Sequence, residues 1–91
     1  MPDTPSFLNM FYGKECPHCA KMLRLAKRLE VEENVTIMRF EIWHDAENMK
    51  TMEAIDRGKC DGVPFFYNEK TRATLCGEAT YEELKQWAGT K

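Results

Sequence analysis

Phe7-Leu8-Asn9-Met10-Phe11-Tyr12-Gly13-Lys14-Glu15-Cys16-Pro17-His18-Cys19 is the stretch on which the fold turns. Its first six residues are an apolar run of strand length, ended by Gly13, and they predict a strand buried on both faces. From Cys19 onward Met22, Leu23, Ala26 and Leu29 recur at helical spacing, with Lys21, Arg24, Lys27 and Arg28 on the other side. Pro17 suits a first helical turn, where its missing N–H costs nothing. Lys27 and Arg28 are expected in the last turn, complementing the helix dipole. Two cysteines separated by two residues thus stand at the mouth of a helix that follows a strand, which makes a candidate redox motif. Unsatisfied N–H groups at a helix start favour negative charge, so Cys16 is expected to be an exposed thiol able to exist as a thiolate near neutral pH. Cys19, one turn in on the apolar side, is expected to be more buried and more protonated.

Outward from this stretch the chain alternates strand and helix signals. Residues 1–6, with two prolines, read as an irregular arm. Glu30 to Asn34 reads as a polar break, and Val35 to Trp43 as a second strand rich in β-branched and aromatic residues. Asp45 or Asn48 could cap a second helix carrying Met49, Met52 and Ile55, closed by Gly58. Gly62-Val63-Pro64-Phe65-Phe66-Tyr67 is a turn with a third strand, and Ala73-Thr74-Leu75-Cys76 a fourth, stopped by Gly77. Thr80 and Glu83 form a capping box for a last helix that buries Tyr81, Leu84, Trp87 and Ala88. The order β-α-β-α-β-β-α implies a parallel first unit with a right-handed crossover and an antiparallel hairpin between strands three and four. A four-stranded mixed sheet with helices on both faces follows, and residues 1–91 read as one α/β domain.

Composition narrows the function classes. With 43% hydrophobic and 31% charged residues in 91 positions, the chain has the make-up of an ordinary small globular protein. A formal net charge of −2 argues against nucleic acid or an anionic membrane as partner, since both call for a basic face. No apolar stretch approaches the ~18 residues of a membrane span. Met1-Pro2-Asp3-Thr4-Pro5 lacks the basic-then-apolar layout of a secretory signal. Four cysteines in a well-patterned chain without such a signal point to a reducing intracellular compartment, the cytoplasm or an organelle stroma, with the thiols used for chemistry. A monomer is expected.

That element order, with Cys16-Pro17-His18-Cys19 after the first strand and Val63-Pro64 opening the third, resembles the thioredoxin-like superfamily in its compact glutaredoxin-like form. The likeness runs over nearly the whole chain from Phe7. It implies a cis-proline at Pro64 facing the active-site cysteines, and at Val63 a backbone offered to an extended substrate. Gly62 to Tyr67, followed by Leu75-Cys76-Gly77 and a capped helix, is similar to the C-terminal half of thioredoxins, which places Cys76 and Gly77 beside the substrate groove. Lys14 matches the glutaredoxin lysine that meets a glutathione carboxylate. The chain departs from the thioredoxin pattern at Glu15, where Trp is usual, and in lacking a carboxylate at Asn9-Met10-Phe11. From the glutaredoxin pattern it departs at His18, at Val63 and at Cys76-Gly77-Glu78-Ala79.

The resemblance implies a thiol–disulfide oxidoreductase acting on disulfide-containing protein substrates, with no tightly bound cofactor and with a reductase or glutathione for recycling. Cys16 attacks, a mixed disulfide forms, and Cys19 releases the substrate by closing Cys16–Cys19. Pro17 and His18 tune the thiolate, the imidazole by partial protonation beside it; the bland alternative is an exposed helix-start residue. A glutathione-dependent glutaredoxin is one alternative, and a zinc or iron–sulfur module on the same cysteines another. Cys60 and Cys76 are open: a second redox pair, a glutathionylation site, metal ligands or, as the preferred reading, two small buried hydrophobes. Trp43 and His44 either flank the substrate or pack at a strand end. Met22, Met38, Met49 and Met52 are expected in the core, and the basic residues of the first helix on a solvated face.

Overall fold

A computed structural model describes residues 6–89, so that all of the proline-bearing arm except Ser6 lies outside the described residues. Seven elements follow one another: β1 (Leu8–Tyr12), α1 (Pro17–Glu33), β2 (Ile37–Glu41), α2 (Ala46–Asp56), β3 (Phe65–Asn68), β4 (Thr74–Cys76) and α3 (Tyr81–Ala88). The sheet order is β2-β1-β3-β4. β1 pairs parallel with β2 and antiparallel with β3, and β3 pairs antiparallel with β4. The expected mixed sheet and element order are therefore present.

Side-chain alternation along the central strand builds two cores. Leu8 and Met10 of β1 join Met22, Ala26 and Leu29 of α1, Phe66 of β3, and Leu84 and Trp87 of α3 on one face. On the other face Phe11 and Phe65 meet Ile42 and Met52. Burying each such side chain contributes about 1.5–3 kcal/mol, and the first core holds more of them. α1 and α3 therefore anchor the sheet, while the α2 side is lighter. Asn68, fully buried, donates from Nδ2 to the Trp87 carbonyl at 2.9 Å and so ties the end of α3 to β3.

Several boundaries differ from expectation. Glu30 to Asn34 is no break: α1 continues one turn further to Glu33 and stops at Asn34 in the left-handed conformation. Glu30 accepts from the Ile37 N–H and pairs with Arg39, so a polar run that looks like loop faces a neighbouring strand. As a result Lys27 and Arg28 lie inside the helix, and its last turn carries no basic residue. Phe7 falls outside β1 and is 39% exposed. β2 is shorter than the apolar run suggests, because Trp43 and His44 lie beyond its end. Met22 and Met52 are buried as expected and Met38 partly so, but Met49 is exposed on α2, one turn before the face that packs. Asp45 caps α2 through the Asn48 N–H, and the Thr80–Glu83 capping box is complete.

Candidate active site

Strand β1 delivers the chain to Tyr12, and a tight turn at Gly13 reverses it into α1. The Cys16 N–H donates to the Gly13 carbonyl at 3.0 Å, which closes that turn. Cys16 is the N-cap of α1 and Pro17 the first helical residue. The Cys16 sulfur accepts the Cys19 N–H at 3.3 Å, using an amide that the helix start leaves without a partner. Cys19 follows on the buried side of the first turn, and its sulfur accepts the Gly13 N–H at 3.4 Å. Both thiols are free. Burial first, and then the hydrogen bond with Cys16, push the Cys19 thiol up to about 12, so Cys19 is a neutral thiol at physiological pH.

Cys16 is not the exposed residue expected from a helix start. Only 6% of it is accessible. A groove of about 410 Å³ is lined by His18 of α1, by Val63 and Pro64 before β3, and by Gly77 and Glu78 after β4. The Val63–Pro64 peptide is cis, Pro64 is buried, and its carbonyl accepts the Gly77 N–H at 2.8 Å. This bond fastens the end of β4 to the segment before β3, giving the groove a continuous floor.

His18 is engaged across the groove. Its Nδ1 pairs with Glu78, and Lys21 reaches the same carboxylate at 3.3 Å. These two partners hold the Glu78 carboxyl below the usual range. The hydrogen bond that Cys16 receives comes from a backbone amide, while the His18 ring is committed to the far wall. Glu78 had no assigned role at the level of sequence; its signal is its place directly after Gly77, opposite the first turn of α1.

Two expected groove residues lie elsewhere. Lys14 lines a separate depression with Tyr12, Glu15, Glu41, His44 and Asp45. There Glu41 accepts the N–H groups of Lys14, His44 and Trp43. Desolvation works against ionisation of Glu41, but those three donors outweigh it and keep its carboxyl below the usual range. His44 pairs with Glu15 at 2.8 Å, which raises its imidazole, chiefly through that hydrogen bond. Trp43, half exposed, lies against Gly13 so closely that a Cβ there would sit 2.4 Å from the ring. Trp43 thus packs on the loop that holds the cysteines.

Cys76 is the second departure, together with Cys60. The two are neither thiols nor buried hydrophobes: they form a disulfide, with Cα atoms 5.6 Å apart. The β3–β4 register sets Cys76 opposite Phe65. Buried Asp56 meanwhile draws the chain inward by accepting the Cys60 and Asp61 N–H groups, each at 2.8 Å. The bridge lines a cleft together with residues of α2, and that cleft is distinct from the His18–Pro64 groove. Bonded to each other, Cys60 and Cys76 are not thiolate ligands that could join Cys16 and Cys19 around one metal.

The crystal structure of a glutaredoxin from Archaeoglobus fulgidus superposes on this chain with a TM-score of 0.68, at 24% identity, covering 90% of this chain and 85% of that one. The fold is thioredoxin-like. No family model matches the sequence, and no curated protein does. The end of β1, which leads into the Cys16–Cys19 turn, lies beside the start of β3, which follows the cis Val63–Pro64 segment, so both segments leave the same end of the sheet.

Proposed function

We propose that the protein is a thiol–disulfide oxidoreductase in which Cys16 is the nucleophile and Cys19 the resolving thiol. The observation that carries this reading is the pair of free cysteines one helical turn apart, with the Cys16 sulfur capping α1 and the Cys19 sulfur buried and protonated beneath it. The capping amide is a preorganised donor to negative charge on Cys16. A substrate disulfide lying in the groove along Val63 and Pro64 presents one sulfur to Cys16. The new Cys16–substrate bond forms as the substrate S–S bond breaks, and the departing sulfur takes a proton. Cys19 then loses its proton, attacks the Cys16 sulfur, and releases the second substrate thiol. Two electrons pass from the dithiol to the substrate, and a reductase or glutathione restores them.

Protein disulfides are the substrate class supported by the open groove, since its backbone floor and its flanking charges suit an extended peptide. Insulin reduction by dithiothreitol tests the reading. The protein is expected to accelerate it, Cys16→Ser to abolish the acceleration, and a wild-type rate no greater than dithiothreitol alone would refute it. A hydroxyethyl disulfide assay with glutathione separates recycling by glutathione from recycling by a protein reductase.

A further inference from the structure

The geometry points to a second thiol–disulfide site: the Cys60–Cys76 bridge, in a cation-lined cleft, takes a small anionic thiol as its reductant. This inference does not rest on the role of Cys16. The cleft has a volume of about 620 Å³, enough for a molecule of tripeptide size, and Arg57, Lys59, Tyr67 and Arg72 line it beside the two bonded cysteines. Cys76 is exposed and Cys60 half-buried, and both line this open cleft. Exposed bridges are the more open to thiol–disulfide exchange.

Charge selects the partner. Among the described residues, none of the side chains of Arg57, Lys59 and Arg72 makes an ion pair. The only carboxylate in the lining is Asp56, and both its oxygens are already taken by backbone N–H groups. The C-terminal end of α2 adds roughly half a negative charge. Three cations therefore outweigh the negative groups at this cleft, on a chain whose formal charge is −2. A thiol bearing a carboxylate or sulfonate is drawn in, and one bearing an ammonium is repelled.

The exchange balances with two equivalents of thiol. A thiolate attacks the Cys76 sulfur, forming a mixed disulfide while the Cys60–Cys76 bond breaks, and the electron pair leaves on Cys60. Cys60 takes a proton from solvent, and its sulfur lies 3.5 Å from the Gly62 carbonyl, which accepts the new S–H. A second thiolate attacks the sulfur of the bound thiol, which frees Cys76 and forms the oxidised dimer of the reductant. The bridge is reduced by two electrons, and two thiols are oxidised.

The test compares 2-mercaptoethanesulfonate, 2-mercaptoethanol and cysteamine as reductants of the wild-type protein. Peptide-resolved alkylation reads Cys60 and Cys76 separately from Cys16 and Cys19. Rates are expressed per thiolate and divided by the rate with hydroxyethyl disulfide, which has no charge. The anionic thiol is expected to outpace the cationic one by about tenfold at low salt. That preference should vanish in 1 M KCl and in Arg57→Gln/Lys59→Gln/Arg72→Gln. A ratio equal to that of hydroxyethyl disulfide, a ratio that survives both treatments, or a bridge that resists all three thiols until urea unfolds the protein would each overturn the assignment. If the triple variant fails to fold, the salt series on the wild type decides.

Discussion

The two cysteine pairs sit in one small domain and are built in opposite ways. Cys16 and Cys19 are three residues apart, buried, unbonded, and positioned by a single helical turn and the hydrogen bonds of Gly13. Cys60 and Cys76 are separated by 16 residues, lie toward solvent, and are bonded to each other across a loop and a strand. The first pair is placed by local backbone geometry and shielded by its surroundings. The second depends on tertiary structure, which it in turn holds together. A chain that packs most of its large side chains under α1 and α3 has the lighter core on the α2 side, which is where the covalent link lies.

This contrast is broken most easily at the bridge. Closing a loop of that length restricts the unfolded chain by about 3 kcal/mol. Cys60→Ser/Cys76→Ser is therefore expected to lose roughly that amount in urea denaturation against the oxidised wild type, and a loss below about 1 kcal/mol would show that the α2 side stands without it. On the other side, Gly13→Ala pushes a Cβ into the Trp43 ring. Trp43 is half exposed and can swing away, so the cost is expected to be modest, about 1 kcal/mol, with a red shift in Trp43 fluorescence. Unchanged emission would mean that the ring does not brace the loop.

The smallest effect concerns His44. Its imidazole is raised by Glu15, so the pair stabilises the fold below the ordinary imidazole range and loses that contribution as pH rises through the raised value. NMR titration should find the His44 midpoint above that of an unpaired histidine, and Glu15→Gln should return it. Both groups are well exposed, so the effect on global stability should be slight.

Much of this architecture was legible in the sequence because it is periodic and local. The apolar run from Leu8 to Tyr12, the helical stripe Met22-Ala26-Leu29, the Thr80–Glu83 box and the Cys16–Cys19 spacing each express a short-range rule, and each is found in place. What escaped is set at long range. Glu30 looks like a loop residue until Arg39 of β2 is opposite it. The contact between His18 and Glu78 spans sixty residues of chain. Cys60 and Cys76 carry no pattern at all, since their pairing follows from the β3–β4 register and from Asp56 gathering the preceding loop. Burial of Cys16 is likewise a property of the folded chain that spacing does not report.

The role of Cys16 is tested most directly by trapping. Cys19→Ser protein, mixed with a disulfide-bonded substrate such as insulin and analysed by mass spectrometry without reductant, should accumulate a mixed disulfide joined to Cys16. An adduct on Cys60 or Cys76 with Cys16 left unmodified, or no adduct at all, would contradict the account.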